Sequence, residues 1–320
     1  MRRRRFIAGI SVTVLWPRAA RAEGKIYRLG ILASRPEAIP ATLFQELRAL
    51  GYVEGENLVV EWRYSEGVNE RWPALAQELV ALKVDAILCG TTPAALAAKR
   101  ATSTIPIVIP SAIDPVGAGL AESLARPGGN ITGGSVQAPE ISVKTLSLLK
   151  EAVPGLSRAA VLWNAANPAF AAVWQALDGS AGSLGVTLLK APVREPDDFP
   201  STFAAIASQR PEGLLLLIDE FMLQHLGGII EFAAIHWLPS ASTFRPFAAA
   251  GGLMSYGPTI ADVTRLAARY LDRVFKGANP ATLPFQQPTE FELVINLKTA
   301  KALGLAVPQL LLAQASEVIE

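Results

Sequence analysis

The chain has 320 residues, of which 51% are apolar and 18% charged, with 29 Lys plus Arg against 28 Asp plus Glu. That is too apolar for a disordered polymer and too long for a disulfide-stapled miniprotein, and its 25 Gly and 23 Pro follow no collagen-like period. At roughly 100 to 200 residues per domain, the length predicts about two domains, each able to bury a core.

The N-terminus reads as an export signal over residues 1–22. Arg2 to Arg5 form a cationic start, positions 6–16 are mostly apolar, and Ala20-Arg21-Ala22 fits the small-x-small rule of signal peptidase. An apolar stretch of about ten residues is too short for a bilayer core that needs about 20. Arg3-Arg4-Arg5-Phe6 also matches a twin-arginine signal. Six arginines and no acid lie in this segment; taking those six from 29 leaves 23 basic against 28 acidic residues. An acidic remainder argues against a nucleic-acid partner, because phosphate binding needs clustered excess Lys and Arg.

From Lys25 onward, short strand-type runs alternate with helix-type segments. Strands are expected at 26–32, 58–64, 85–89, 107–109 and 131–136, then at 159–163, 186–190, 213–218 and 253–256. Continuous apolar runs such as Leu214 to Ile218 suit strands buried on both faces of a parallel sheet. Helical spacing appears between them, as in Leu43, Leu47 and Leu50 or Leu75, Leu79 and Leu82. The alternation predicts a doubly wound α/β architecture, and two sets of about five strands predict two Rossmann-like lobes. A helix is expected over 260–276, ended by Gly277, with a further strand over 291–297. Cys89, the only cysteine, closes the apolar run 84–88 and reads as a packed core thiol.

In open parallel α/β sheets, ligands meet the carboxyl ends of the strands. Four loops there pair an N-capping residue with Pro: Ser34-Arg35-Pro36, Thr91-Thr92-Pro93, Asp114-Pro115 and Asn164 to Pro168. Such loops open helices well, and together they would line a cleft with free backbone N–H groups suited to a carboxylate or phosphate. Arg35 is a candidate bidentate partner for a ligand carboxylate. Asp219, ending the run 213–218, is a candidate acceptor for a ligand ammonium, with Asn164 at the equivalent rim. Tyr256 falls at a proposed lobe crossing, where its ring could close over a ligand or pack as a hinge residue.

Catalytic signatures are missing. There is no dinucleotide fingerprint, phosphate-binding P-loop or nucleophile elbow. Ser147-Leu148-Leu149-Lys150 matches S-x-x-K only formally, on an amphipathic helix. His225 and His236 lack ligand spacing, so neither metal nor cofactor is expected.

Gly51-Tyr52-Val53-Glu54-Gly55-Glu56-Asn57, Asp114-Pro115-Val116-Gly117-Ala118-Gly119-Leu120 and Arg126-Pro127-Gly128-Gly129-Asn130-Ile131-Thr132-Gly133 resemble the ABC transporter substrate-binding proteins. So do Gly251 to Pro258 and the tail 287–305, which begins Gln287-Pro288-Thr289-Glu290-Phe291. The branch includes tryptophan-binding TrpX-like members. The resemblance implies a type I periplasmic binding protein: two lobes joined by three chain crossings, closing on a small ligand and docking on a membrane permease. The expected N-terminal lobe spans 25–137 with 257–284, and the C-terminal lobe 138–256 with 285–320. By the same analogy Ser34, Thr91, Thr92, Asn164 and Asp219 face the cleft, and the ligand is an amino acid or related carboxylate.

The function expected is therefore solute binding without chemistry, by a monomer in a Gram-negative periplasm. No lipid anchor is expected, since no cysteine lies just after the leader's cleavage point. An exported α/β enzyme using Asp114, Asp219 or Ser34 is the alternative, and a sensory domain of the same architecture a third.

Overall fold

The computed structural model describes residues 25–320, so the expected leader at 1–22 lies outside the described residues. The strands are β1 (Tyr27–Ala33), β2 (Leu58–Tyr64), β3 (Ala86–Cys89), β4 (Ile107–Ala112), β5 (Ile131–Ser135) and β6 (Arg158–Asn164). They continue with β7 (Thr187–Val193), β8 (Gly213–Leu216), β9 (Ser240–Ser242), β10 (Met254–Pro258), β11 (Phe291–Asn296) and β12 (Glu317–Ile319). Among the described residues they form two sheets, one of five strands in the order β2-β1-β3-β4-β5 and one of seven in the order β12-β11-β10-β9-β8-β6-β7. The first sheet is parallel throughout. The second is parallel except where β10 and β11 run antiparallel. Two Rossmann-like α/β units thus match the expected class, with one antiparallel pair where a wholly parallel sheet was expected.

Successive strand residues face opposite sides of a sheet, and helices cover both sides here. Leu29, Ile31 and Leu88 pack on one side of the first sheet, whereas Leu32, Ile87 and Cys89 pack on the other. That two-sided burial is why β3 and β8 are apolar at every position instead of alternating. Cys89 is fully buried, and the surrounding apolar atoms push its thiol pKa upward.

The helix Ile260–Phe275 fixes the topology. It follows β10 of the second sheet yet buries Leu266, Ala267, Tyr270, Leu271 and Val274 against Leu29 and Ile31 of the first. Those spacings make one face of a 3.6-residue helix. The chain then stays with the first sheet through Phe285 and Gln286: Phe285 is buried in its core, and the Gln286 N–H donates to Gly133 O at 3.0 Å. It rejoins the second sheet at β11. Three segments therefore pass between the two units, after β5, after β10 and before β11. Pro258 still belongs to β10, and Phe285 still packs on the first unit, a residue or two beyond the positions expected from sequence. Gly257 is required within β10, just before the second crossing, because a Cβ there would lie 1.9 Å from Thr243 O.

Candidate ligand-binding cleft

The carboxyl ends of the two sheets face each other across a cavity of about 250 Å³. Its polar rim comes from the residues that follow the strands: Ser34 after β1, Ser65 after β2, Thr91 and Thr92 after β3, Asn164 and Asn167 at β6, and Asp219 and Glu220 after β8. Ile39, Leu43, Trp72, Phe221, Phe244 and Val263 supply apolar wall. A small apolar chamber with a few convergent polar groups is the general form of a small-molecule site.

Asp219 is the most elaborately held of these groups. β6 and β8 are sheet neighbours, so the loops at their ends meet. Asn164 Nδ2 and Asn167 Nδ2 both donate to Asp219 Oδ2, at 2.9 and 3.0 Å, while the Met222 N–H donates to Oδ1 at 3.1 Å. The Asn164 and Asn167 carbonyl oxygens accept from the backbone N–H groups of Ala166 and Ala169, which fixes both amides with their NH₂ toward Asp219. Burial raises the Asp219 pKa above the usual carboxylate range, and the donors from Asn167, Met222 and Asn164 oppose that rise. The accessible part of this carboxylate faces the cavity, where it can accept from a cation or N–H donor.

Opposite it, Thr91 caps the helix Thr92–Ala101, its Oγ1 accepting from the Ala94 N–H at 3.2 Å, with Pro93 in the first turn. Pro93 has no N–H and those of Ala94 and Ala95 are taken by Thr91, so the Thr92 N–H is the free donor of that turn, and with the positive end of the helix dipole it favours an anion.

At the mouth, the units touch. Arg35 Nε lies 3.4 Å from Glu220 Oε1. A Cβ on Gly67, where φ is +81°, would lie 2.4 Å from Gln224 Oε1, so these surfaces approach closely. Burial also raises the Glu220 pKa; Ser34 and Arg35 pull it down, and the negative charge of Asp219 pushes it up further.

Of the residues singled out from sequence, Ser34, Thr91, Thr92, Asn164 and Asp219 line the cavity, and three do not. Arg35 turns to Glu220 and is half-exposed, so it is a lobe-to-lobe partner where a ligand partner was expected. Asp114 accepts from the Gly117 N–H at 2.9 Å and serves its own turn. Tyr256 lies within β10 and stacks on Phe291 with ring centroids 6.0 Å apart, away from the cavity. Ser65, Asn167 and Glu220 went unnoticed. Each follows a strand or shares a loop already singled out, so reading every strand end would have found them. The walls carry no such signal, since Trp72 and Leu43 look like ordinary core of their helices.

Two α/β units enclosing a chamber at their facing strand ends define a bilobed solute receptor. Residues 37–319 match the family model of the ABC transporter substrate binding proteins, and the chain belongs to that family. It is 25% identical over 256 residues to the tyrosine-binding protein of Clostridioides difficile (strain R20291), covering 80% of this chain and 73% of that one. Among solved structures it is similar to a conserved domain protein from Vibrio cholerae, with a TM-score of 0.87, 28% identity, and 92% and 100% of the two chains covered. It is also similar to the ABC domain from Streptococcus pneumonia in complex with L-Trp, with a TM-score of 0.86, 25% identity, and 92% and 99% covered. The protein is thus the extracytoplasmic solute-binding component of an ABC transporter.

Proposed function

We propose that the cleft takes one L-amino acid with a large apolar side chain and hands it unchanged to the membrane permease. The observation that carries this reading is the pairing of a buried, amide-held carboxylate, Asp219, with the capped N-terminus of the helix Thr92–Ala101 in one chamber. Asp219 accepts the ligand ammonium; the Thr92 N–H and the hydroxyls of Thr91 and Thr92 meet its carboxylate; the apolar walls hold its side chain. The tyrosine-binding relative and the L-Trp complex support the ligand class. A chamber of about 250 Å³ has room for one such molecule and none for a peptide.

The two lobes rock about their three connecting segments, and a ligand touching both stabilises the closed arrangement only through its stronger binding there. Binding without turnover is supported by the engagement of both carboxylates, Asp219 with donors and Glu220 with Arg35. The arginine-rich residues 2–5 and 18–21 support export to a periplasm by the twin-arginine route. The protein works as a monomer on a small solute, with no nucleic-acid partner.

Replacing Asp219→Ala tests the reading. Because the carboxylate also caps the helix Glu220–Gln224, the substitution costs about 1 kcal/mol of stability. Its effect on ligand affinity is far larger: calorimetric titration with L-tryptophan and L-tyrosine should show at least about a hundredfold loss, in the range of a buried charged partner removed. Unchanged affinity would take Asp219 out of the site.

A further inference from the structure

Among the described residues, five that are not glycine hold a left-handed backbone: Glu66, Lys83, Gln137, Arg210 and Trp237. Four of them sit where that conformation is common. Glu66 turns the chain after β2, and Lys83, Arg210 and Trp237 close the helices Trp72–Ala81, Asp198–Gln209 and Leu226–Ile235. Gln137 is the exception. With φ +51° and ψ +41° it stands at the N-cap of the helix Ala138–Ala152, where an extended backbone is the rule, and its side chain makes no capping bond. A left-handed residue with a side chain costs energy, and it persists only where its surroundings impose it. Gln137 stands where the first segment passes between the lobes.

Its bonds make it a pivot. The Val136 N–H donates to Ala112 O at 3.0 Å and so belongs to the first sheet, whereas the Gln137 carbonyl accepts from the Ile141 N–H at 3.0 Å and belongs to the helix packed on the second. The peptide joining the two residues makes no backbone hydrogen bond among the described residues, through either its C=O or its N–H. The other two crossings are tied to each other: the Thr259 N–H donates to Glu290 O at 3.1 Å, and the Thr289 N–H to Asp262 Oδ2 at 2.8 Å. The closed arrangement, with Arg35 against Glu220 across the mouth, thus concentrates its backbone strain at one free peptide.

We infer that Gln137 is a backbone spring that holds the empty clamp open. Closing drives its φ into the left-handed region; opening lets the Val136–Gln137 peptide turn and returns φ to the extended value usual for an N-cap. The inference rests on the rocking motion proposed above and says where it is resisted. Val136 and Ala138 line the chamber and Gln137 does not, so residue 137 acts on affinity without touching the ligand. Apparent affinity scales with the fraction of molecules able to close.

A substitution series at this position supplies the experiment. Glycine and asparagine enter the left-handed region readily, whereas valine, branched at Cβ, is poorly suited to it. Titration calorimetry with L-tryptophan and L-tyrosine should find Gln137→Gly about fivefold tighter than the unsubstituted protein, Gln137→Asn about twofold tighter and Gln137→Val at least about fivefold weaker. Gln137→Ala, which removes the amide and keeps an ordinary backbone preference, should bind like the unsubstituted protein. Small-angle scattering from the ligand-free proteins should give the same order, with Gln137→Gly the most compact and Gln137→Val the most open, which tests the spring even where neither amino acid binds. Affinities and radii that are equal throughout, or that follow side-chain size so that Gln137→Asn and Gln137→Val behave alike, would overturn the spring and leave the rocking motion intact. A radius of gyration that a bound ligand leaves unchanged in the unsubstituted protein would overturn both.

Discussion

Asn167 shows how a single side chain can set the charge of a site it does not complete. It is 4% exposed, its carbonyl oxygen is taken by the Ala169 N–H, and its NH₂ donates to Asp219 at 3.0 Å. Of the donors that hold the Asp219 pKa down against burial, it is the strongest. A ligand ammonium needs the ionised carboxylate, so affinity should fall as pH drops through the Asp219 pKa, which already lies above the ordinary aspartate range. Asn167→Ala removes a donor to the charged form and moves that pKa further up. The expected result is a binding curve whose acid limb shifts to higher pH, with a smaller loss at pH 8 than at pH 5. Affinity for L-tryptophan measured across that range checks it; a loss of the same size at every pH would mean that Asn167 only shapes the loop.

Among the elements, the helix Ile260–Phe275 bears most of the topology, since it alone carries the chain from the second sheet back to cover the first. Leu271 is fully buried in its contact face. Truncating it to Ala should cost about 2 to 5 kcal/mol, the usual range for a buried leucine whose site cannot collapse, as read from urea unfolding. A cost under about 1 kcal/mol would mean that the helix is not anchored through that face. This helix was legible in sequence because its apolar residues keep one period throughout. So were the strands at 58–64 and 131–135, whose runs are long or bounded by Gly. β9, Ser240–Ser242, was not, because three small residues, Ser-Ala-Ser, carry no strand pattern; its neighbours β8 and β10 impose the conformation. β12, Glu317–Ile319, is equally short and exists through its pairing with β11. The site divides along the same line. Strand-end residues follow from topology and could be read ahead, whereas the direction of Arg35 depends on Glu220, 185 positions away and on the other lobe. Tyr256 misled because a crossing placed at 257 put it at a hinge, while β10 runs on to Pro258.

At the scale of the whole molecule, Glu220 couples the state of the chamber to the state of the mouth. Closure presses it between Arg35, Ser34, Gln224 and Asp219, and its pKa there stands above the ordinary glutamate value because burial outweighs the help from Ser34 and Arg35. In an open molecule the same carboxyl meets water and has its ordinary pKa, near 4.3. The sign follows: a pKa raised by closing means that the protonated form favours the closed state. That contribution is fully present below the open-state value and is lost as pH rises through the closed-state one. In its ionised form this carboxylate, desolvated by closing and only partly helped by its neighbours, resists closing until a ligand donor arrives to satisfy it. Arg35 offsets only part of this, since a half-exposed ion pair contributes about 0 to 1 kcal/mol. The mouth lies three strands from the edge strand β5 at which the first crossing leaves, a lever of about 14 Å, so a small rotation there opens it. Small-angle scattering should find the ligand-free protein more compact at pH 4.5 than at pH 7.5, and Glu220→Gln as compact at both. Gly67→Trp, which places a bulky ring against Gln224, should keep the lobes apart at either pH. A radius of gyration independent of pH in the unsubstituted protein would separate Glu220 from closure and leave it as a contact of the chamber alone.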